Sequence, residues 1–258
     1  MRFAVIGDYG AGGQTEQDVA NLVKSWNPDF ILTVGDNNYP SGAAETIDWR
    51  IGAFYREYIY PYKGTLGKGA DRNRFFPSLG NHDWNTDQAQ AYLDYFTLPG
   101  NERYYDFVWG PAQFFALDSD YREPDGVTVT SRQALWLQTR LAESKSIWKI
   151  VFMHHPPFTS GKRGPVEWLR WPFGEWGATA VLSGHDHFYE RLSIDGFPYF
   201  INGLGGGGIY DFGPVAAGSE ARYNADYGAI LVIADARRII FQFINPSNEI
   251  IDTYQITR

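Results

Sequence analysis

Cysteine is absent from the 258 residues, which excludes disulfides, thiolate metal sites and a cysteine nucleophile. Long apolar runs are absent as well: no stretch approaches the roughly 20 residues that a membrane span needs. Basic residues are in deficit. With 22 Lys+Arg against 30 Asp+Glu the formal charge is −8, whereas a general nucleic-acid binder carries a basic face. Histidine is scarce, with 5 in the whole chain, so the places where they fall carry information. No leader of signal-peptide type precedes the first apolar run, Phe3-Ala4-Val5-Ile6. The chain is therefore expected to be cytoplasmic, or a mature form whose leader has been removed.

What is present describes a globular protein. Residues are 44% hydrophobic and 20% charged, and 9 Trp, 17 Tyr and 18 Phe supply both core and pocket-wall material. The length fits one α/β domain over residues 1–258, with no repeat or linker. Phe3 to Ile6 and Phe30 to Val34 read as buried strands around a helix marked by Val19, Leu22, Val23 and Trp26, a βαβ unit. A second helix is expected over Ile47 to Tyr58, a loop over Gly64 to Arg72, a strand near Phe75 to Leu79, and a short helix near Gln88 to Phe96. Tyr104 to Trp109 and Gln113 to Leu117 form a hairpin, and a helix starts near Ser131. Strands follow at Ile147 to Met153, Ala178 to Leu182, Pro198 to Ile201, Ala229 to Ile233 and Ile239 to Ile244. Early βαβ units and a strand-rich later half predict two packed sheets with helices outside.

The five histidines occupy three places: His82, the pair His154-His155, and His185 with His187. Each lies just after an expected strand or a glycine turn, where parallel α/β sheets bind ligands. Asp8 and Asp36 sit in the same way, after Gly7 and Gly35. Oxygen and imidazole donors without thiolates suit iron, manganese or zinc, and the number of donors suits two ions.

In chain order the segments are Asp8, Gly35-Asp36-Asn37-Asn38-Tyr39, Gly80-Asn81-His82-Asp83, Val151-Phe152-Met153-His154 and Gly184-His185-Asp186-His187. This series resembles the calcineurin-like metallophosphoesterases, and within them the purple acid phosphatases. Most metallophosphoesterases begin with Asp-x-His, but here Gly10 stands at the second position. Tyr39, three residues beyond Asp36, is where purple acid phosphatases place a metal-binding tyrosine. The resemblance implies an α/β fold, a four-layer αββα sandwich of two mixed sheets flanked by helices. It implies an iron(III) site of Asp8, Tyr39 and His187, and a second divalent ion (iron, zinc or manganese) on Asn81, His154 and His185, with Asp36 bridging. It also implies a phosphomonoesterase with an acidic optimum, a metal-bound hydroxide as nucleophile and His82 as acid, with Asp83 expected to orient that ring. Its partners would be small phosphorylated substrates, with inorganic phosphate as product, and no membrane or nucleic acid. Alternatives are a phosphodiesterase or nucleotide hydrolase on the same scaffold, or a non-catalytic metal-binding module.

Taken singly, these residues have bland readings: a turn cap for Asp8, a core aromatic for Tyr39, a loop amide for Asn81. Those readings do not account for the order. The family's further substrate histidine is missing from Lys162-Arg163-Gly164-Pro165, so phosphate contact passes to His155, Lys162 or Arg163, or is lost; His155, Arg163 and Asn81 are assigned as the substrate-binding residues. Trp84, Phe158, Trp171 and Tyr210 are candidate pocket walls. Gly203-Leu204-Gly205-Gly206-Gly207-Gly208 matches G-x-G-x-x-G, but the helix that a dinucleotide fingerprint needs does not follow. It reads as a flexible loop near the site.

Overall fold

A computed structural model describes residues 1–258. The strands of its first half are β1 (Arg2–Ile6), β2 (Phe30–Thr33), β3 (Phe75–Pro77), β4 (Tyr105–Trp109), β5 (Ala112–Ala116) and β6 (Trp148–Phe152). Those of the second are β7 (Ala180–Ser183), β8 (Tyr189–Ile194), β9 (Phe197–Asn202), β10 (Ser219–Tyr223), β11 (Ala229–Ala234), β12 (Arg238–Ile244) and β13 (Ile250–Thr257). They form a six-stranded sheet, β13-β12-β11-β1-β2-β3, and a seven-stranded sheet, β10-β8-β9-β7-β6-β5-β4. Both sheets are mixed. In the first, β1, β2 and β3 run parallel, and in the second β5, β6 and β7 do.

Between the sheets lies one aromatic-rich core. Phe3 of β1 stacks on Phe30 of β2 at 5.0 Å and meets Phe114 of β5 edge-on at 5.1 Å, so the two layers interlock through rings. The helix Gln14–Ser25 covers the outer face of the first sheet, where Leu22 packs with Leu231 and Ile244. On the other side, the helix Arg132–Glu143 lays Leu137 and Leu141 over Phe115, Val151 and Val181. Its start is set as expected: the Ser131 hydroxyl accepts from the Ala134 N–H at 3.2 Å. The result is the four-layer αββα arrangement. No helix is long and apolar enough to cross a membrane.

The expected helix over Ile47 to Tyr58 is present but irregular, running from Ala44–Ile47 through a π-helical stretch, Asp48–Gly52, and Ala53–Tyr55 to a 3₁₀ turn, Arg56–Tyr58. Ile47, Ile51, Phe54, Tyr55 and Tyr58, which mark it in the sequence, are buried. Strands β8, β10 and β13 fall where no strand was expected. Their sequences are broken by polar side chains: Glu190 and Arg191 in β8, Ser219, Glu220 and Arg222 in β10, and Asp252 and Gln255 in β13.

Candidate metal centre

The parallel strands of the two sheets end on one side of the molecule, and the loops beyond them converge. Asp8 follows β1, Asp36 follows β2, Asn81 and His82 follow β3, His154 follows β6, and His185 and His187 follow β7. Main-chain bonds lock these loops together. The His185 N–H donates to Asp8 Oδ2 at 2.8 Å, and the His82 N–H donates to Asp36 Oδ1 at 2.8 Å. The approach is close enough that a Cβ on Gly184 would collide with the Asp8 carboxylate, which explains the glycine before His185. Asp8, Asp36 and His185 all hold positive φ (54°, 52° and 70°), backbone strain gathered at three site residues.

One half of the cluster is anionic. Tyr39 Oη lies 3.2 Å from Asp8 Oδ1, 3.1 Å from Asp36 Oδ2 and 3.0 Å from His187 Nε2. Asp8 Oδ1 is also 3.2 Å from His187 Nε2. The other half is built from neutral donors. Asn81 Oδ1 is 3.1 Å from His154 Nε2 and 3.0 Å from His185 Nδ1, and those two nitrogens are 3.2 Å apart. Asp36 Oδ2 serves both halves, standing 3.3 Å from His154 Nε2.

Hydrogen bonds alone do not satisfy this packing. The His154 Nδ1–H donates to the Val34 carbonyl at 2.8 Å, so a neutral ring aims its Nε2 lone pair at the oxygens of Asn81 and Asp36. The phenol has one proton to offer three partners. Donor atoms bound to a first-row ion at about 2.1 Å lie about 3 Å from one another, which is the spacing seen in both halves. Ionisation gives the same answer. Burial opposes a charged His154, yet Asp36 and Asp8 outweigh it and raise its pKa to about 10. A proton on His154 thus occupies the place of a cation. Burial and that charged ring then depress His185 to about 2 and His155 to about 3. The donor set fits two cations.

All seven expected ligand residues are brought together, and the gain and loss at Tyr39 and Gly10 prove to be one feature. Gly10 abuts Asn37 so tightly that a Cβ would collide with the Asn37 carbonyl, while the Tyr39 N–H donates to the Gly10 carbonyl at 2.8 Å. A histidine cannot stand at Gly10 while the tyrosine loop passes there. His82 lies beside the cluster, its ring 4.5 Å from that of Tyr39.

Asp83 is a correction. It does not reach the His82 ring, whose Nδ1 instead donates to the Pro40 carbonyl at 2.6 Å. Asp83 is buried and turned inward, accepting from Gly80 N–H at 2.9 Å and from the Asn37 main chain and amide. It staples the Asp36 loop to the Asn81 loop, because adjacent residues in a tight 3₁₀ turn point in different directions. The glycine-rich loop is a second correction. Rather than being loose, it is packed under the centre, with Gly205 N–H donating to Gly7 and Gly207 N–H to Asp8. Of the candidate walls, Trp84 and Trp171 are buried core residues.

His155 stands at the neutral half, its ring 4.6 Å from His185 and its Nδ1 3.0 Å from Ser119 Oγ. Arg163 lies on the opposite side. Tyr210 stacks on His187 at 4.0 Å, and the Arg163 guanidinium sits 5.3 Å from that phenol ring. Arg163 and Tyr210, with Lys162, Asp186, Ile209 and Asp211, line a cavity of about 380 Å³. Lys162 is turned to Asp211 at 3.0 Å. Sequence reasoning passed over Ser119 and Arg122, although Asp118-Ser119-Asp120 follow β5 just as the other loops follow their strands.

Residues 1–189 match the calcineurin-like phosphoesterase family, and the chain belongs to it. By class it is a metal-dependent phosphoester hydrolase, and the relatives it resembles are acid phosphatases. It is 26% identical over 243 residues to tartrate-resistant acid phosphatase type 5 of Mus musculus, covering 80% of this chain and 72% of that one. In fold it resembles a purple acid phosphatase from yellow lupin seeds, with a TM-score of 0.78 at 16% identity, covering all of this chain and 54% of that one. It also resembles GAP50, the anchor in the inner membrane complex of Plasmodium, with a TM-score of 0.74 at 18% identity, covering 100% of this chain and 88% of that one.

Proposed function

We propose that residues 1–258 form one catalytic domain that hydrolyses phosphate monoesters at a dinuclear centre. Asp8, Tyr39 and His187 would hold one cation, and two carboxylates beside a phenol suit a hard iron(III). Asn81, His154 and His185 would hold a divalent partner (iron, zinc or manganese), with Asp36 shared. When bound, the pair supplies Lewis-acid polarisation of the phosphoryl group and an acidified water for in-line attack. The observation that carries the reading is the convergence of a phenol, two carboxylates, an amide and three imidazoles at 3.0–3.3 Å.

His82 is the proposed acid. Because its Nδ1–H is engaged by Pro40, Nε2 is the nitrogen left to act, and it lies 3.9 Å from Asp36 Oδ2 at the edge of the centre. In the protonated ring, that Nε2–H passes its proton to the ester oxygen as the P–O bond breaks. The Asn81 amide N–H, the unbonded nitrogen of His155 and the Arg163 guanidinium are assigned to the phosphate oxygens. Fold alone does not separate an enzyme from an anchor, the role named for the Plasmodium neighbour. A free imidazole beside the centre favours the enzyme.

Metal analysis with a visible spectrum and two substrates tests this. Two metal equivalents, a violet or pink band abolished in Tyr39→Phe, and faster turnover of p-nitrophenyl phosphate than of its bis ester are expected. Equal or faster diester turnover would replace the monoesterase reading with the diesterase one. A colourless, iron-free, active protein would replace iron(III) with manganese, and a protein inert on both esters would be a binding module.

A further inference from the structure

We infer that Arg122 is a positioning residue for the neutral half of the centre, acting through the main chain of Asn81. This rests on the dinuclear reading above. The guanidinium is anchored on its own loop by Asp120, with Nε donating to Oδ1 at 2.7 Å and Nη2 to Oδ2 at 2.9 Å. Its other bonds leave the loop. Nη2 donates to the Asn81 carbonyl at 2.9 Å, and Nη1 donates to Asn85 Oδ1 at 3.2 Å.

The anchor is rigid. Asp120 is buried, and its N–H donates to Asp118 Oδ1 at 3.0 Å. Asp118 in turn accepts from Trp84 Nε1 at 2.9 Å and, at its own N–H, donates to Gln133 Oε1 at 2.8 Å. Arg122 also lies over Tyr121 and Trp84, at 5.3 and 5.8 Å from the ring centres. A loop of the seven-stranded sheet thus clamps the loop of the six-stranded sheet that carries Asn81. The Asn81 side chain meets His154 and His185, which belong to the clamping sheet. Without Arg122, the Asn81 main chain loses its direct tie to the sheet that carries its two imidazoles, and only the Trp84 bond to Asp118, three residues on, still joins the two loops. A ligand fixed by a bond one atom group away is held as outer partners hold metal ligands, where loss typically costs about 10–100-fold in affinity. The anionic half shares no atom with this clamp.

The test is zinc(II) loading of the divalent site, read by titration and by metal equivalents per chain after dialysis. In Arg122→Ala the zinc needed for half-loading is expected to rise about 10–100-fold, while the first cation and its colour stay. Arg122→Gln, whose amide ends where Arg122 Nε meets Asp120, does not reach the Asn81 carbonyl and should lose affinity as Arg122→Ala does, whereas the longer Arg122→Lys should recover part of it. Asn85→Ala, which removes only the Nη1 contact, should change it less than about threefold. Parental zinc affinity in folded Arg122→Ala overturns the inference. So does parental affinity in Arg122→Gln, which keeps a donor for Asp120 but none that reaches Asn81. Should Arg122→Ala not fold, the Gln and Lys variants decide between these outcomes. A parent that binds fewer than two cations overturns the dinuclear reading itself. A parent with two, unaffected by the substitutions, overturns only the role of Arg122.

Discussion

The two halves of the centre share Asp36 and differ in nearly everything else. Around Tyr39 stand Asp8, Asp36 and His187, and burial together with the two carboxylates pushes the phenol well above its ordinary pKa. A phenolate there needs a strongly charged neighbour. Around Asn81 stand two imidazoles, and one proton on His154 already answers the single shared carboxylate. The anionic half therefore calls for a high charge and the neutral half for a modest one. On the proposed reading, that difference would let one small site hold two unlike ions.

Paired substitutions break the comparison most severely. Asp8→Ala and His185→Ala are each expected to lower turnover to background, by opposite losses. Asp8→Ala should lose the iron and the colour. His185→Ala should keep both and lose the second equivalent, so that metal analysis and absorbance tell them apart. Loss of colour in both would mean that the halves do not bind independently. Substituting His82 spares both halves. His82→Ala should retain two equivalents and the colour yet turn over p-nitrophenyl phosphate about 10²–10⁴-fold more slowly. Full activity would remove His82 from the mechanism and reopen the binding-module reading.

The same contrast separates what the sequence disclosed from what it hid. The ligand loops announce themselves locally: Asp8, Asp36, Asn81 and His185 each stand directly after a glycine, and His154 directly ends an apolar run. Gly35-Asp36 and Gly184-His185 could be read without knowing their neighbours. What joins the loops could not. The Arg122 bond to Asn81 spans 41 residues, and the His82 bond to Pro40 spans 42. Adjacency in sequence suggested that Asp83 serves His82, but the chain turns it to Asn37, 46 residues away. The unexpected strands failed for a related reason. Glu190 in β8 is fully buried, with Ser160 and Ser219 donating to its carboxyl group, so a core position carries a polar side chain and breaks the apolar pattern.

Another polar position on a strand, Asp252 of β13, gives the smallest expected effect and tests whether the fold is separable from the site. It accepts from Tyr189 Oη at 2.7 Å and from Arg191 Nε at 2.7 Å, tying the edge of the six-stranded sheet to β8 of the other. Burial alone would raise the pKa of Asp252, but these two donors more than offset it and hold it below the usual 3.8. A carboxylate depressed in the folded state stabilises fully above its unfolded pKa, and that stability is lost as pH falls through the folded value. Asp252→Asn should therefore cost about 1–3 kcal/mol at neutral pH, read as a lowered Tm. The gap between parent and variant should close as pH falls below about 3.8. Colour and metal content should not change. A gap that persists in strong acid would mean that the clasp works by packing rather than by charge. A loss of colour would mean that the seam between the sheets, and not the loops alone, sets the geometry of the anionic half.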